Sequence, residues 1–359
     1  MTKSLPEMEG AVCPLPLPHH ERIVMGHGSG GKMSHELIAN IFASKFTNPV
    51  LDTGDDAGAF ILPTEIAPGN VKLAISTDSH VVTPLFFPGG DIGRLAICGT
   101  VNDVSMLGAT PLCLTAGFVL EEGLEMALLR EVVESMTTAA REANIQIIAG
   151  DTKVVQNGKA DGLYINTTGI GVIPAEVEIS GTRAQPGDVI ILSGTIGDHG
   201  IAVLAARGEL HFETTITSDV APLNKLVAEM LSVSKEIHVL RDPTRGGLAT
   251  SLNEIALQSQ VGIMIHEDAI PIKPPVAAAC EMLGFDPLYV ANEGKLIAIV
   301  KEQDASRILS VMRCNSLGVE AAIIGNVVEK PAAHVLLKTT YGTTRMVDML
   351  SGEMLPRIC

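Results

Sequence analysis

The stretch Ile237-His-Val-Leu-Arg-Asp-Pro-Thr-Arg-Gly-Gly247, continued by Leu-Ala-Thr-Ser-Leu-Asn-Glu-Ile-Ala-Leu-Gln258, decides the fold class. Residues 237–240 form a short apolar run. Asp242-Pro-Thr-Arg-Gly-Gly247 ends it, and residues 248–258 carry apolar residues at helical spacing. An apolar strand that stops at an acid, turns on glycines and becomes a helix is one unit of an α/β layer. Related units stand elsewhere. Residues 71–76 lead to Thr77-Asp78, 145–149 stop at Gly150-Asp-Thr-Lys153, and 189–192 lead to Gly194-Thr-Ile-Gly-Asp-His-Gly200 and a helix. Helices are predicted near 34–46, 92–107, 124–143, 219–231, 276–283 and 303–314. Strands are predicted at 163–173, 261–265, 296–300 and 319–327. The alternation predicts α/β or α+β layers in both of two domains. The turn-rich segment 180–187 divides them. The expected organisation is a Pro-rich leader at 1–24, domains at 25–180 and 181–340, and a mobile tail at 341–359, where periodicity fades.

Composition excludes several functions. At roughly 150 residues per domain, 359 residues fit two domains, each able to bury a core without disulfides or structural metal. Lys and Arg number 25 against 41 Asp and Glu, a net charge of −16, which argues against nucleic acid. Aromatics at 3% leave no stacking platform for single strands. The leader has no basic and then apolar pattern of a signal peptide, and no uncharged apolar run is long enough to span a bilayer. Cysteines at 13, 98, 113, 280, 314 and 359 form no C-x-x-C pair, so a reducing cytoplasm is the expected location.

Four features carry chemistry. Gly26-His-Gly-Ser-Gly-Gly-Lys32 fits neither standard nucleotide motif. The acid that a dinucleotide fold needs about 20 residues downstream is misplaced, and Met33 stands where a Walker loop has Ser or Thr. It is either a glycine linker or a loop whose N–H groups, with Lys32, wrap phosphates. Next come the acids Asp55, Asp56, Asp78, Asp103, Asp151 and Asp242, most of them beside apolar strands, with Thr77, Thr152 or Thr244 nearby and Asn102 beside Asp103. Singly, each is a turn former or cap. Together they would repel unless a cation sat between them, and hard oxygen ligands suit Mg²⁺ on nucleotide phosphates. Lys153 and Glu293 are either surface charges or an electrophilic stabiliser and a general base. His199 reads as structural. Cys359, behind Pro356-Arg357-Ile358, is either a frayed end or a thiol on a movable arm. Its α-carboxylate would raise the thiol pKa and Arg357 would lower it.

The chain resembles the HypE family of hydrogenase maturation proteins from about residue 21 to its end. The match rests on His27-Gly-Ser-Gly-Gly-Lys32, Gly54-Asp-Asp-Ala57, Thr77-Asp-Ser79, Thr100-Val-Asn-Asp103, Met106-Leu-Gly-Ala109, Gly150-Asp-Thr-Lys-Val154, Asp242-Pro-Thr-Arg-Gly-Gly247, Asn292-Glu-Gly294 and, most specifically, Pro356-Arg-Ile-Cys359. Gly58 departs from the Ala usual there, and the leader with Cys13 lies outside the match. The looser motifs are shared with the PurM-like superfamily of aminoimidazole ribonucleotide synthetase. The resemblance implies a two-domain PurM-like fold that dimerises through the N-terminal sheet, and ATP with Mg²⁺ in the interdomain cleft. Asp55, Asp56, Asp78, Asp103 and Asp242 are implied as metal or phosphate ligands. Gly28, Ser29, Gly30, Gly31 and Lys32 are the implied phosphate-covering loop, with Thr77, Asn102, Gly150, Asp151 and Thr244 as further cofactor contacts. Lys153, Glu293 and Cys359 are the implied catalytic residues. A HypF-like carbamoyltransferase would load Cys359. ATP-dependent dehydration would turn the carbamoyl into a thiocyanate, and a HypC–HypD-like iron scaffold would receive the cyanide. The rivals are a selenophosphate synthetase-like or small-molecule kinase activity, and a non-catalytic ATP-binding regulator.

Overall fold

The computed structural model describes residues 23–46, 48–64, 67, 70–208, 215–350 and 358. The leader through residue 22, with Cys13, and Pro356, Arg357 and Cys359 lie outside the described residues. After the short helix α1 (Lys32–Leu37) come β1 (Gly58–Ile61), β2 (Lys72–His80) and a small hairpin of β3 (Phe86–Phe87) and β4 (Gly90–Asp91). Helix α2 (Ile92–Met106), strand β5 (Thr110–Glu121), helix α3 (Met126–Ala143), β6 (Gln146–Val155) and β7 (Leu163–Ile173) complete this half. Its five-stranded sheet has the order β1-β2-β7-β5-β6, with β5 and β6 parallel and the other neighbours antiparallel.

The second half contains β8 (Val189–Leu192), α4 (Asp198–Ala206), α5 (Asn224–Val233), β9 (Ile237–Arg241), α6 (Gly247–Ser259) and β10 (Gly262–His266). It continues with α7 (Pro274–Leu283), β11 (Ile297–Val300), α8 (Glu302–Cys314), β12 (Ala322–Val328), β13 (His334–Lys338) and β14 (Thr344–Val347). These strands form a seven-stranded sheet, β14-β13-β10-β12-β8-β11-β9, in which β10 and β13 are parallel.

Helix α2 joins the halves. The Asp91 carboxylate caps it, accepting from the N–H groups of Gly93 at 2.7 Å and Arg94 at 3.1 Å. Such a cap stabilises a helix by about 1 kcal/mol. Ile92, Leu95, Ala96, Ile97, Val101, Val104 and Met106 are all buried, so apolar residues cover every side. A helix of that pattern belongs inside a protein. One side packs on β2, β5 and β7 and another meets α5 and β9. Gly169 on β7 permits the close fit, since a Cβ there would lie 2.8 Å from Thr100 Cγ2. One apolar cluster then runs across the boundary, joining Ala74, Val104 and Met106 to Ile191, Leu226 and Leu240. Polar residues on α2 are thereby held rigidly against both halves.

Three differences from the sequence pattern matter. Strand β5 lies in mid-sheet, although Pro111, Gly117 and its small residues give it no clear period. Strand β6 does not stop at Gly150 but runs through Asp151 and Lys153 to Val155. Strand β14 pairs with β13, so the C-terminal sheet extends into the stretch expected as tail. Among the described residues no helix is long and apolar enough to cross a membrane.

Candidate active site

Asp78 is on β2, Asp103 on α2, Asp242 at the end of β9, and Asp56 just before β1. On β2 the alternation of a strand puts Ser76, Asp78 and His80 on the face toward α2. Ser76 donates to Asp103 Oδ2 at 2.6 Å, and Thr100 donates to Asp78 Oδ2 at 3.2 Å. Burial pushes the Asp103 carboxyl well above its ordinary range, and Asp78, Asp242 and Asp56 push it further. Asp242 is raised in the same way, by burial first and then by Asp56 and Asp78. These four acids therefore form one electrostatic cluster spanning both halves. Among the described residues no three acid, His or Cys side chains close tightly enough to hold a metal ion unaided.

Asp56 is also part of a structural frame. Its Oδ1 accepts from Arg241 Nη1 at 2.7 Å, and the same nitrogen lies 3.5 Å from Glu254 Oε2 on α6. Burial pushes Asp56 up to about 7, against the pull of Arg241. Arg241 Nη2 donates to the Gly54 carbonyl and to Gln258 Oε1, so one buried guanidinium ties β1's approach to α6. Arg241→Met should lower unfolding free energy by about 3–5 kcal/mol, because it leaves buried carboxylates unpaired. Urea denaturation checks this, and a loss under about 1 kcal/mol would remove Arg241 from the frame.

The glycine loop closes over the Asp242 turn. Arg245 Nη1 donates to the Gly28 carbonyl at 3.1 Å. Gly30 has φ +77°, and a Cβ there would lie 2.8 Å from Arg245 Cβ. At Gly31 a Cβ would lie 2.2 Å from the Leu350 carbonyl oxygen. Gly30 N–H donates to Ser34, and Ser29 Oγ donates to the Gly26 carbonyl at 2.8 Å. Lys32 is exposed beyond the loop and Thr244 sits in the opposing turn.

Glu293 is buried and its Oε1 has no hydrogen-bond partner among the described residues. Burial raises its carboxyl well above the ordinary range, helped by Asp242, Asp219 and Asp78 and opposed by Arg245. Its backbone is clamped, because its N–H donates to Asp219 Oδ1 at 3.1 Å and its carbonyl accepts from Asn102 Nδ2 at 3.3 Å. Burial alone would raise Asp219, but Lys295, 3.3 Å away, and His199 outweigh it and hold that carboxyl low.

Other expected site residues stand elsewhere. Lys153, Asp151 and Gly150 lie on the exposed edge strand β6, where Lys153 pairs with Asp151 at 2.7 Å. That strand is three positions from β2, roughly 14 Å at sheet spacing. Thr77 points to the opposite sheet face from Asp78, where Thr168 donates to it at 3.0 Å. Asp55 Oδ1 accepts from Ser180 Oγ and from Gly181 N–H at 2.6 Å, so it pins the interdomain turn. The Asn102 side chain is committed to the carbonyls of Ala221 and Glu293 and the N–H of Leu223. Sequence reasoning missed Glu254, Asp219, Lys295 and the chain Asp78–Thr100–Thr167–His80. Thr100 is legible as a polar position on a mostly apolar helix, and His80 as the continuation of the polar face that Ser76 and Asp78 begin on β2.

The end of the chain is also here. Ile358 is buried and forms an antiparallel bridge with Val82. Its carbonyl lies 2.6 Å from His199 Nε2.

The chain matches the N-terminal domain of AIR synthase related proteins over residues 54–173 and their C-terminal domain over 185–338. It is 55% identical to the carbamoyl dehydratase HypE of Cupriavidus necator over 94% of this chain and 95% of that one. The chain belongs to the HypE family. A HypE solved in a HypE–HypF complex is 48% identical, with a TM-score of 0.82 over 88% of this chain and 99% of the other. A HypE solved with ATP is 50% identical, with a TM-score of 0.78 over 94% of this chain and all 100% of the other. The family's two-domain PurM-like fold is the architecture described above.

Proposed function

We propose that this chain, a carbamoyl dehydratase of hydrogenase maturation, dehydrates an S-carbamoyl group carried on its own Cys359 to a thiocyanate, the source of cyanide for the iron of a [NiFe]-hydrogenase. The observation that carries this reading is the docked end of the chain. Ile358, one residue before the thiol, sits between Val82 of the first half and His199 of the second. His199 neighbours Ser218, and the next residue, Asp219, holds the N–H of Glu293.

ATP converts the carbamoyl oxygen into a phosphate leaving group, and Mg²⁺, when bound, offsets the negative charge of the phosphates. Asp56, Asp78, Asp103 and Asp242 are the residues that would hold Mg²⁺. Their mutual repulsion fits a cation. As carboxylates they offer the hard oxygen donors that Mg²⁺ would take. The loop Gly28–Lys32 covers the phosphates, with Lys32 as a free-reaching charge. Glu293 takes a proton from the carbamoyl nitrogen as the oxygen departs. Its unpartnered Oε1 is the acceptor.

Lys153 lies on the exposed edge strand β6, three strand positions from the Asp78 strand β2, and pairs there with Asp151. The reading therefore includes a homodimer through the N-terminal sheet, whose edge exposes Ile147, Ile148 and Val154, so that Lys153 acts in the second subunit's site. Ile148→Asp should give a monomer by light scattering at micromolar concentration and lose dehydration. A dimer in that variant would place the interface elsewhere. A HypF-like carbamoyltransferase loads the thiol, a HypC–HypD-like scaffold accepts the cyanide, and the reactions belong to the cytoplasm.

Intact-mass analysis tests the whole reading. Incubation with carbamoyl phosphate, ATP and the transferase should give a carbamoyl adduct that then loses one water. An adduct that never loses water would overturn it.

A further inference from the structure

His199 is fully buried at the start of α4, a position where an imidazole needs partners for both ring nitrogens. Nε2 lies 2.6 Å from the Ile358 carbonyl oxygen, and Nδ1 lies 2.9 Å from Ser218 Oγ. A carbonyl oxygen only accepts, so Nε2 carries the proton. In the neutral ring Nδ1 then accepts. Ser218 Oγ already accepts from Val220 N–H at 3.1 Å, which leaves its own O–H to donate to Nδ1. The three bonds are mutually consistent and fix one tautomer. The Phe87 ring meets the imidazole edge-on, with centroids 5.4 Å apart, and restricts its tilt.

The elements around this bond come from both halves. Ile358 bridges to Val82 and joins the apolar cluster of Val82, Phe87 and Ile92. Arg207, at the far end of α4, donates to the Thr83 carbonyl at 2.9 Å. The segment 218–220 sets the His199 tautomer through Ser218 and clamps Glu293 through Asp219. The seat for the penultimate residue and the frame of the proton acceptor are thus one piece of backbone.

We propose that His199 is a positioning residue for the dehydration step: its Nε2–H, oriented by Ser218, holds the Ile358 carbonyl and so seats the following Cys359 for reaction. This rests on the reading of Cys359 as the carrier. His199 bonds the carbonyl of the preceding residue, Ile358. It acts through the peptide bond to which Cys359 is attached.

The test uses full-length protein loaded by the transferase, with single-turnover conversion followed by mass. His199→Leu removes the donor at similar volume and should slow conversion roughly 5- to 10-fold, the value of one hydrogen bond. His199→Gln places an amide N–H near the position of Nε2 and should recover most of the rate. A folded His199→Leu protein with unchanged conversion, or a Gln variant no better than Leu, overturns the proposal. Ser218→Ala, at a half-buried position, covers the case in which neither His199 variant folds. It should slow conversion and Ser218→Thr should restore it, and equal rates for both overturn the proposal. The ¹⁵N spectrum of histidine-labelled wild type reads the bond itself, with Nε2 protonated and Nδ1 bare; the opposite tautomer overturns it. Loss of the carrier reading has a separate signature, an adduct on a residue other than Cys359 in the wild type.

Discussion

Cys359→Ala is expected to abolish adduct formation altogether, while ATP binding and fold stay intact. Thiol chemistry supports assigning the adduct to this residue. The thiolate is the nucleophile, so a buried protonated thiol is inert. Burial pushes Cys98 up to about 12 and Cys280 up to about 11, which leaves both protonated at neutral pH. Cys98 also lies in the middle of α2, closed in by the first sheet. Cys113 is half-buried on β5, and Cys314 is exposed where α8 ends. Cys359 adjoins Ile358, a residue bonded to Val82 of the first half and His199 of the second. Individual Ser substitutions at Cys98, Cys113, Cys280 and Cys314 should therefore leave adduct formation within about twofold, since the first and third are buried, protonated thiols and none of the four adjoins Ile358. Peptide mapping decides the matter. A carbamoyl or cyano group on any other cysteine, or any adduct on the Cys359→Ala protein, would overturn the assignment. A bulky tag fused after Cys359 should impair its entry into the cleft, because the adjoining Ile358 is buried.

Much of this arrangement is visible in the residues before any coordinates. Helix α2 announces itself by apolar residues on every side, and Asp103 and Asn102 stand out as polar positions within it. The acid at the end of β9 follows from Ile237–Leu240 and the glycines after it. What the pattern hides has physical causes. Asp55 and Asp56 are neighbours, yet one turns to the 180–181 turn and the other to Arg241, a choice made by tertiary partners. Thr77 was separable from Asp78 by strand alternation alone, because adjacent residues of a strand face opposite sides. Lys153 looked like a loop residue because Gly150 interrupts an apolar run. In the fold the glycine sits inside an edge strand whose polar residues need no burial. The His199 bond could not be read at all, since its partner is a backbone carbonyl 159 residues away. Short-range periodicity carries no information about such a contact.

Glu293→Gln should lower the dehydration rate by about 10²- to 10⁴-fold, the usual worth of a positioned proton acceptor, while ATP binding persists. The amide matches the carboxylate in size, and Oε1 makes no hydrogen bond that the change would break. Carbamoylated protein should accumulate. The pH behaviour separates this from a packing defect. Burial, with Asp242, Asp219 and Asp78, raises the folded-state pKa of Glu293 above its unfolded value. The folded chain then holds this proton more tightly than the unfolded chain does. Its contribution to stability is fully present below the unfolded pKa and is lost as pH rises through the folded one. The Gln variant has no proton to lose there. Its stability should overtake that of the wild type as pH rises through the raised pKa, in the same window where wild-type dehydration gains rate as the carboxylate forms. A variant that is both slower and more stable at alkaline pH is the signature of a buried, strained base. Denaturation midpoints and single-turnover rates measured across that pH range decide it. Wild-type conversion in the Gln variant would remove Glu293 from the chemistry, and a parallel fall in activity and stability would assign it to packing.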